Sequence, residues 1–209
     1  LRSELMARGH RFRTRTDSEV ILALYRESGI NALERLDGMF SFALWDPDQR
    51  RLVIARDRFG IKPLFIAERS DGSILFASEI KALLASKVVD DSIDLQAHHD
   101  YLGLNYVPGP RTMLKGIRKL PPAHAMVWER GRARTFRYWQ QTFHSELSTP
   151  KSPRYREAAE VVLDGLRDAV ARRMVADVPL GMFLSGGIDS SAILMAMSEA
   201  STRPIQAFT

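Results

Sequence analysis

Between Phe40 and Ala77 the chain reverses too often for helical crossovers to fit, and that spacing restricts the fold more than any other feature. Phe40, Phe42 and Leu44 alternate with smaller partners up to the turn Asp46-Pro47-Asp48. Short β runs follow at Leu52 to Arg56, Leu64 to Ala67 and Ile74 to Ala77, separated by Phe59-Gly60-Ile61-Lys62-Pro63 and by Ser70-Asp71-Gly72-Ser73. Strands connected in this way suggest an antiparallel sheet. Helical signals flank the strands. Thr16-Asp17-Ser18-Glu19 has the T-x-x-E spacing of a capping box, Val20, Ile21, Leu24 and Tyr25 share one helical face, and Gly29 supplies the stop. A second stretch, Asn31 to Leu36, ends at Asp37-Gly38, and Ser78 is placed to cap a helix running to about Ala85 with Ile80, Leu83 and Leu84 as its apolar side. Helices packed on an antiparallel sheet, an α+β layer architecture, is the expected fold of this part.

From Asp90 to Trp139 the pattern loosens. Tyr101 to Tyr106 reads as helical, Val107-Pro108-Gly109-Pro110 as loop, and Leu120-Pro121-Pro122 as the start of another extended piece. Arg130, Arg132, Arg134 and Arg137 fall in a Gly-containing turn and alternate along a strand, which makes them a solvated face. The 30 Lys and Arg against 25 Asp and Glu leave +5, spread over the chain and not gathered in a tail. No nucleic-acid partner is expected from that distribution. The absence of cysteine rules out a disulfide framework, a thiolate metal site and a thiol nucleophile among these 209 residues. No run approaches the roughly 18 apolar residues of a membrane span, and Leu1-Arg2-Ser3-Glu4 lacks the apolar stretch of a signal peptide, so the expected setting is cytoplasmic, away from membranes. The Leu1 start and the apolar run Pro204-Ile205-Gln206-Ala207-Phe208-Thr209 both read as cuts.

Residues 141–154 have the Ser/Thr/Pro composition of an interdomain connection, dividing a domain at 1–140 from a second at 155–209. Beyond it Ala159, Val162, Leu163, Leu166, Ala169 and Val170 recur at helical spacing. Val178 to Leu184 then reads as a buried strand, Ser185-Gly186-Gly187-Ile188-Asp189-Ser190-Ser191 as a tight loop, and Ala192 to Met197 as the helix it opens. Strand, glycine loop and helix together form an anion-binding geometry, with backbone amides free to approach a phosphate at the positive end of the helix dipole. Ser185, Ser190 and Ser191 add hydroxyl donors. Neither the G-x-x-x-x-G-K-[ST] spacing of a Walker loop nor a G-x-S-x-G elbow is present. Asp189 would repel an anion unless a bound Mg²⁺ bridged it to the phosphates. Capping of the helix by Asp189 and the two serines is the plainer alternative.

Ser185-Gly186-Gly187-Ile188-Asp189-Ser190-Ser191 resembles the S-G-G-x-D-S-S pyrophosphate loop of the ATP pyrophosphatase superfamily. Taken with Thr16 to Val20, Asp37-Gly38-Met39-Phe40, Arg56 to Leu64, Ala77 to Ala82 and Lys119 to His124, it makes the chain similar to the glutamine-hydrolysing asparagine synthases along nearly its whole length. The resemblance implies an Ntn-hydrolase-type glutaminase layer fold, partial here, followed by the start of an α/β nucleotide-binding domain. It implies ammonia release from glutamine, activation of aspartate as its β-aspartyl adenylate, and capture of that adenylate by ammonia. Glutamine, aspartate and ATP are the implied substrates, with ATP and Mg²⁺ bound and a homodimer compatible. Asp17 matches the carboxylate that holds the α-amino group of glutamine. Phe183 and Leu184 match the strand edge that meets adenine, while Ser185, Gly186, Gly187, Asp189, Ser190 and Ser191 match the pyrophosphate loop, Asp189 also meeting the metal. The cysteine nucleophile and oxyanion segment of the family's glutaminase have no counterpart here, and its aspartate-binding residues and catalytic lysine belong to segments beyond Thr209. Two other readings stay open: a sibling enzyme that adenylates another carboxylate in exopolysaccharide, β-lactam or peptide pathways, and a non-catalytic binding module.

Overall fold

The computed structural model describes residues 1–142 and 155–209, so the connection expected at 141–154 lies almost wholly outside the described residues. The chain forms two compact units, Leu1–Thr142 and Phe143–Thr209.

The first unit holds helices α1 (Arg2–Ala7), α2 (Asp17–Ser28), α3 (Ile80–Leu84) and α4 (Leu95–Leu104), with a 3₁₀ segment at Gly29–Arg35. Its strands are β1 (Ser41–Asp46), β2 (Arg51–Arg56), β3 (Phe65–Glu68), β4 (Ile74–Ala77), β5 (Arg118–Lys119), β6 (His124–Glu129) and β7 (Arg132–Arg137). They make two antiparallel sheets, ordered β1-β2-β6-β7 and β4-β3-β5. Strand alternation gives the larger sheet two different faces. Ala55 and Ala125, directly opposite each other, leave room for Leu5, Leu24, Leu33 and Leu36 of the helical layer. On the other face Ile54 and Met126, also opposite, pack with Leu64, Ile66 and Leu120 beside the smaller sheet. The expected α+β layering forms, but the strands expected in one antiparallel sheet divide between two, because the link from β2 to β3 crosses from one sheet to the other and is not a hairpin.

Where the chain passes from β2 to the smaller sheet, two adjacent side chains take over the hydrogen bonding that no strand supplies. The Arg56 guanidinium donates to the carbonyls of Gly60 (2.6 Å), Lys62 (2.7 Å) and Leu120 (2.7 Å). The fully buried Asp57 carboxylate accepts from the amides of Phe59 (3.2 Å), Ile61 (2.9 Å) and Lys62 (2.9 Å). Gly60 turns there with φ +66°, and a Cβ on it would stand 2.9 Å from Pro122 Cγ. Tyr138 seals the end of the knot by donating to the Arg56 carbonyl. Burial, and then the charge of Asp57, raises the Tyr138 hydroxyl well above its ordinary value.

Several local expectations need correction. No side chain caps α2: Glu19 reaches past the expected box to the segment before it. Ser78 does not cap α3, whose first turn starts after Glu79, and Leu84 is exposed. Asn31 to Leu36 lies largely in the 3₁₀ segment. The helix expected at Tyr101 to Tyr106 is α4, starting six residues earlier because the Asp94 carboxylate caps the amides of Gln96 and Ala97, and ending at left-handed Asn105. Arg130 and Gly131 form the two-residue turn between β6 and β7, both at positive φ as such hairpins require, and Arg132, Arg134 and Arg137 are exposed as expected.

In the second unit α5 (Tyr155–Arg173) and α6 (Ile188–Ala200) pack through Val170, Ala196 and Met197, with Leu166, Met182 and Ile205 around them. Strands β8 (Gly181–Phe183) and β9 (Gln206–Phe208) pair in parallel, with α6 as the crossover. The buried strand expected over Val178 to Leu184 is a three-residue strand with Gly181 and Phe183 exposed, since a two-stranded sheet has no further layer to cover it. The helix expected from Ala192 starts at Ile188, so Ile188 to Ser191 of the anticipated loop form its first turn.

The Asp57 knot predicts that Asp57→Ala destabilises the first unit by about 2 to 3 kcal/mol, since it removes a fully buried carboxylate and leaves three part-buried amides without their acceptor. Urea unfolding of the 209-residue chain measures this, and a loss below about 1 kcal/mol would show that water replaces the carboxylate.

Candidate functional site

The segment before α2 is held from two sides. From α1, Arg2 donates to the carbonyls of Thr14 (2.9 Å) and Thr16 (2.6 Å), and its guanidinium lies 4.4 Å from the centre of the Phe12 ring. From within α2, Glu19 accepts from the amides of Arg13 (2.8 Å) and Thr14 (2.7 Å) and from the Thr14 hydroxyl (2.7 Å). With its only proton given to Glu19, the Thr14 hydroxyl accepts from the Thr16 hydroxyl at 2.8 Å. The Arg13 amide, then the Thr14 hydroxyl and amide, lower Glu19 from 4.5 to about 2. A depressed carboxylate contributes above its ordinary value and is lost as pH falls through its folded one, so this clamp is complete above about 4.5 and lost through about 2.

Asp17 follows the clamped segment as the first residue of α2. It is exposed, and its carboxylate has no partner among the described residues. A free carboxylate on a fixed backbone is suited to an incoming ammonium group. Sequence reading picked out Asp17 and Glu19 together but gave Glu19 to a capping box, and it missed Arg2. The signal for Arg2 was weak, a single arginine 15 residues ahead of Asp17.

In the second unit β8 delivers the chain into the glycine loop. Leu184 donates its amide to the Phe208 carbonyl (2.7 Å), and Phe183 is 86% exposed with its ring centre 6.3 Å from that of Phe208. Gly181 has no room for a side chain, because a Cβ would lie 2.8 Å from the Phe208 ring. Gly186 takes φ +76°, and Gly187 is the residue from which α6 springs. Ser190 and Ser191 donate to the Gly187 carbonyl at 3.1 and 2.8 Å, and the Ser185 and Ser190 hydroxyls are 3.0 Å apart. Ser190 and Ser191 thus bond back along their own helix to the residue before it and do not cap its amides, while the Gly187 amide makes a long contact of 3.4 Å to the Ser185 hydroxyl. No side chain accepts from the first amides of α6, which have no acceptor within the helix either. Asp189 sits exposed in that first turn. The structure brings Ser185, Gly186, Gly187, Asp189, Ser190 and Ser191 together, with Phe183 and Leu184 on the approach.

No group of three or more His, Cys, Asp or Glu among the described residues could hold a metal by itself. One carboxylate beside hydroxyls fits a Mg²⁺ that arrives with phosphates, which commonly uses one or two protein carboxylates. No helix among the described residues is long and apolar enough to cross a membrane.

Comparison with known proteins follows the two units. A model described as glutamine amidotransferase domain matches residues 1–139, and one described as asparagine synthase matches residues 161–209. Asparagine synthetase [glutamine-hydrolyzing] 3 of Bacillus subtilis is 40% identical over 194 residues, covering 92% of this chain and 31% of that protein. A putative asparagine synthetase [glutamine-hydrolyzing] of Mycobacterium tuberculosis H37Rv is 44% identical over 204 residues, covering 92% of this chain and 30% of its own length. Among solved structures, a glutamine phosphoribosylpyrophosphate amidotransferase from B. subtilis aligns with a TM-score of 0.44 and 17% identity over 99% of this chain and 42% of that one. The chain spans about 30% of the length of the curated relatives. With two thirds of its residues matched, it belongs to the glutamine amidotransferase domain family, and asparagine synthase sequence follows in its second unit.

Proposed function

We propose that this chain contributes to ATP-dependent, glutamine-hydrolysing asparagine synthesis: aspartate is adenylated, and ammonia taken from glutamine captures the adenylate. The observation that carries this reading is the succession, on one chain, of glutamine amidotransferase sequence over 1–139 and asparagine synthase sequence over 161–209. Asp17 binds the α-amino group of glutamine, supported by its free carboxylate at a doubly clamped helix start. The loop from Ser185 to Ser191 holds the pyrophosphate of ATP, supported by its left-handed Gly186 and the uncapped first turn of α6. A carboxylate oxygen attacks the α-phosphorus, the bond from that phosphorus to the bridging oxygen breaks, and pyrophosphate leaves with the electron pair. Amides around the leaving group stabilise its growing charge without changing protonation. Mg²⁺ bound with the nucleotide would share that charge, with Asp189 as its protein ligand. The domains expected at 1–140 and 155–209 divide the two half-reactions, and a cytoplasmic setting goes with their water-soluble substrates.

The 209-residue chain contains no cysteine, so it should release no ammonia from glutamine above a buffer blank. Measurable hydrolysis would reveal another nucleophile. In the enzyme with its complete flanking sequence, Asp17→Ala should raise the glutamine KM while ammonia-dependent synthesis continues; equal losses with both nitrogen donors would make Asp17 structural.

Asp189→Asn should reduce aspartate-dependent exchange of pyrophosphate into ATP by about 10²- to 10³-fold, as loss of a charge-assisted transition-state contact does, and spare glutamine hydrolysis. Gly187→Ala is a cleaner probe of the backbone, because its Cβ would meet only Ser185 Oγ at 3.4 Å and leave folding undisturbed. Exchange should nevertheless fall. Full exchange in both variants would reduce the loop to a helix start, while wild-type exchange with a different carboxylate alone would keep the mechanism and change the substrate.

A further inference from the structure

Asp17 belongs to a helix whose own cap is absent, yet the backbone leading into it is held by side chains from two helices. The Thr16 side chain, in the cap position, makes no bond to the amides of α2. Restraint comes instead from Glu19, two residues after Asp17, which binds backward to Arg13 and Thr14, and from Arg2, which holds the carbonyls of Thr14 and Thr16. Residues 13–16 are thereby fixed through amides on one side and carbonyls on the other. The Asp17 carboxylate is left as the unbonded group next to them.

We propose that Glu19, with Arg2, is a positioning residue for Asp17, holding residues 13–16 so that the Asp17 carboxylate meets the ammonium group of glutamine in one orientation. The inference rests on the reading of Asp17 as the ammonium-binding carboxylate. Glu19 spends both carboxylate oxygens on the clamp, one on the Arg13 amide and the other on the Thr14 amide and hydroxyl, so it acts through backbone and not on the substrate. Glu19 is ionised through the neutral range, so all three acceptor contacts persist there, and they in turn hold its carboxyl below the usual carboxylate range. Arg2 adds a tie from a different helix and lies over the ring of Phe12, which packs against the core under the helical layer.

The test is a double-mutant cycle on glutamine kinetics in the enzyme with its complete flanking sequence. Glu19→Ala should raise the glutamine KM about tenfold, by analogy with the lower end of what partners that orient metal ligands contribute, with kcat changed far less. Glu19→Gln, which keeps one acceptor oxygen, should fall between wild type and Glu19→Ala. On an Asp17→Ala background Glu19→Ala should add almost nothing, because a residue acting through Asp17 has nothing left to orient. Should Glu19→Ala fail to fold, Arg2→Gln removes the carbonyl ties from outside α2 and should give the same KM-against-kcat split and the same non-additivity. An unchanged KM in Glu19→Ala, or losses that add to those of Asp17→Ala, overturns the positioning role while Asp17 keeps its own. If Asp17→Ala itself leaves the glutamine KM unchanged, the reading of Asp17 fails, and the proposal fails with it.

Discussion

The first unit depends on a charged pair that serves backbone on both sides. A chain leaving β2 for the smaller sheet must cross a layer boundary where no strand can pair with it, and every buried peptide group there needs a partner. Arg56 supplies donors for three carbonyls and Asp57 acceptors for three amides, so the crossing is satisfied within one tight loop. The knot also reaches distant segments. Ala123 donates its amide to the Asp57 carbonyl, and the Asp57 amide bonds to Phe40 next to β1. Both sheets, and the strand that returns through Leu120, are registered on the same two residues. Burial lowers the Arg56 pKa while the charge of Asp57 works the other way, which is why one member would be costly to keep without the other.

Much of this was legible in the sequence because the signals were local. Alternation over Phe40 to Leu44 and the Ser70-Asp71-Gly72-Ser73 turn specify hairpins through side-chain period and turn chemistry, and the strands form there. The α4 start was missed although its signal was equally local: Asp94 lies three residues before Ala97, the one buried residue of a helix whose apolar side chains are mostly exposed. Hydrophobic periodicity points to a core, and α4 offers little core to point to.

Capping chemistry was misread where tertiary contacts compete for the same side chain. T-x-x-E at Thr16 to Glu19 satisfies the spacing of a capping box, but the segment from Gly9 brings the amides of Arg13 and Thr14 within reach of Glu19. Two amides and a hydroxyl outweigh the one reciprocal bond of a box. The glycine loop shows the same limit from the other side. Its motif residues do come together, but their bonds run from serine hydroxyls to the Gly187 carbonyl, a detail that depends on hydroxyl rotation and not on composition.

The two candidate sites share one construction: side chains spend their hydrogen bonds on holding backbone, and the group left for chemistry stays free. At Asp17 the clamp belongs to Glu19 and Arg2, and the free group is a carboxylate suited to a cation. At the glycine loop Ser185 holds the Gly187 amide and Ser190 and Ser191 hold its carbonyl, and the free groups are the first amides of α6, suited to an anion. Such an arrangement lowers the cost of ordering at the moment of binding, because the backbone is already fixed and only the ligand must settle. It also separates roles that composition alone would merge. Asp17 and Glu19 are both exposed or half-buried acids in one helical turn, yet one is saturated with hydrogen bonds and the other has none among the described residues, and that difference decides which of them can meet a substrate.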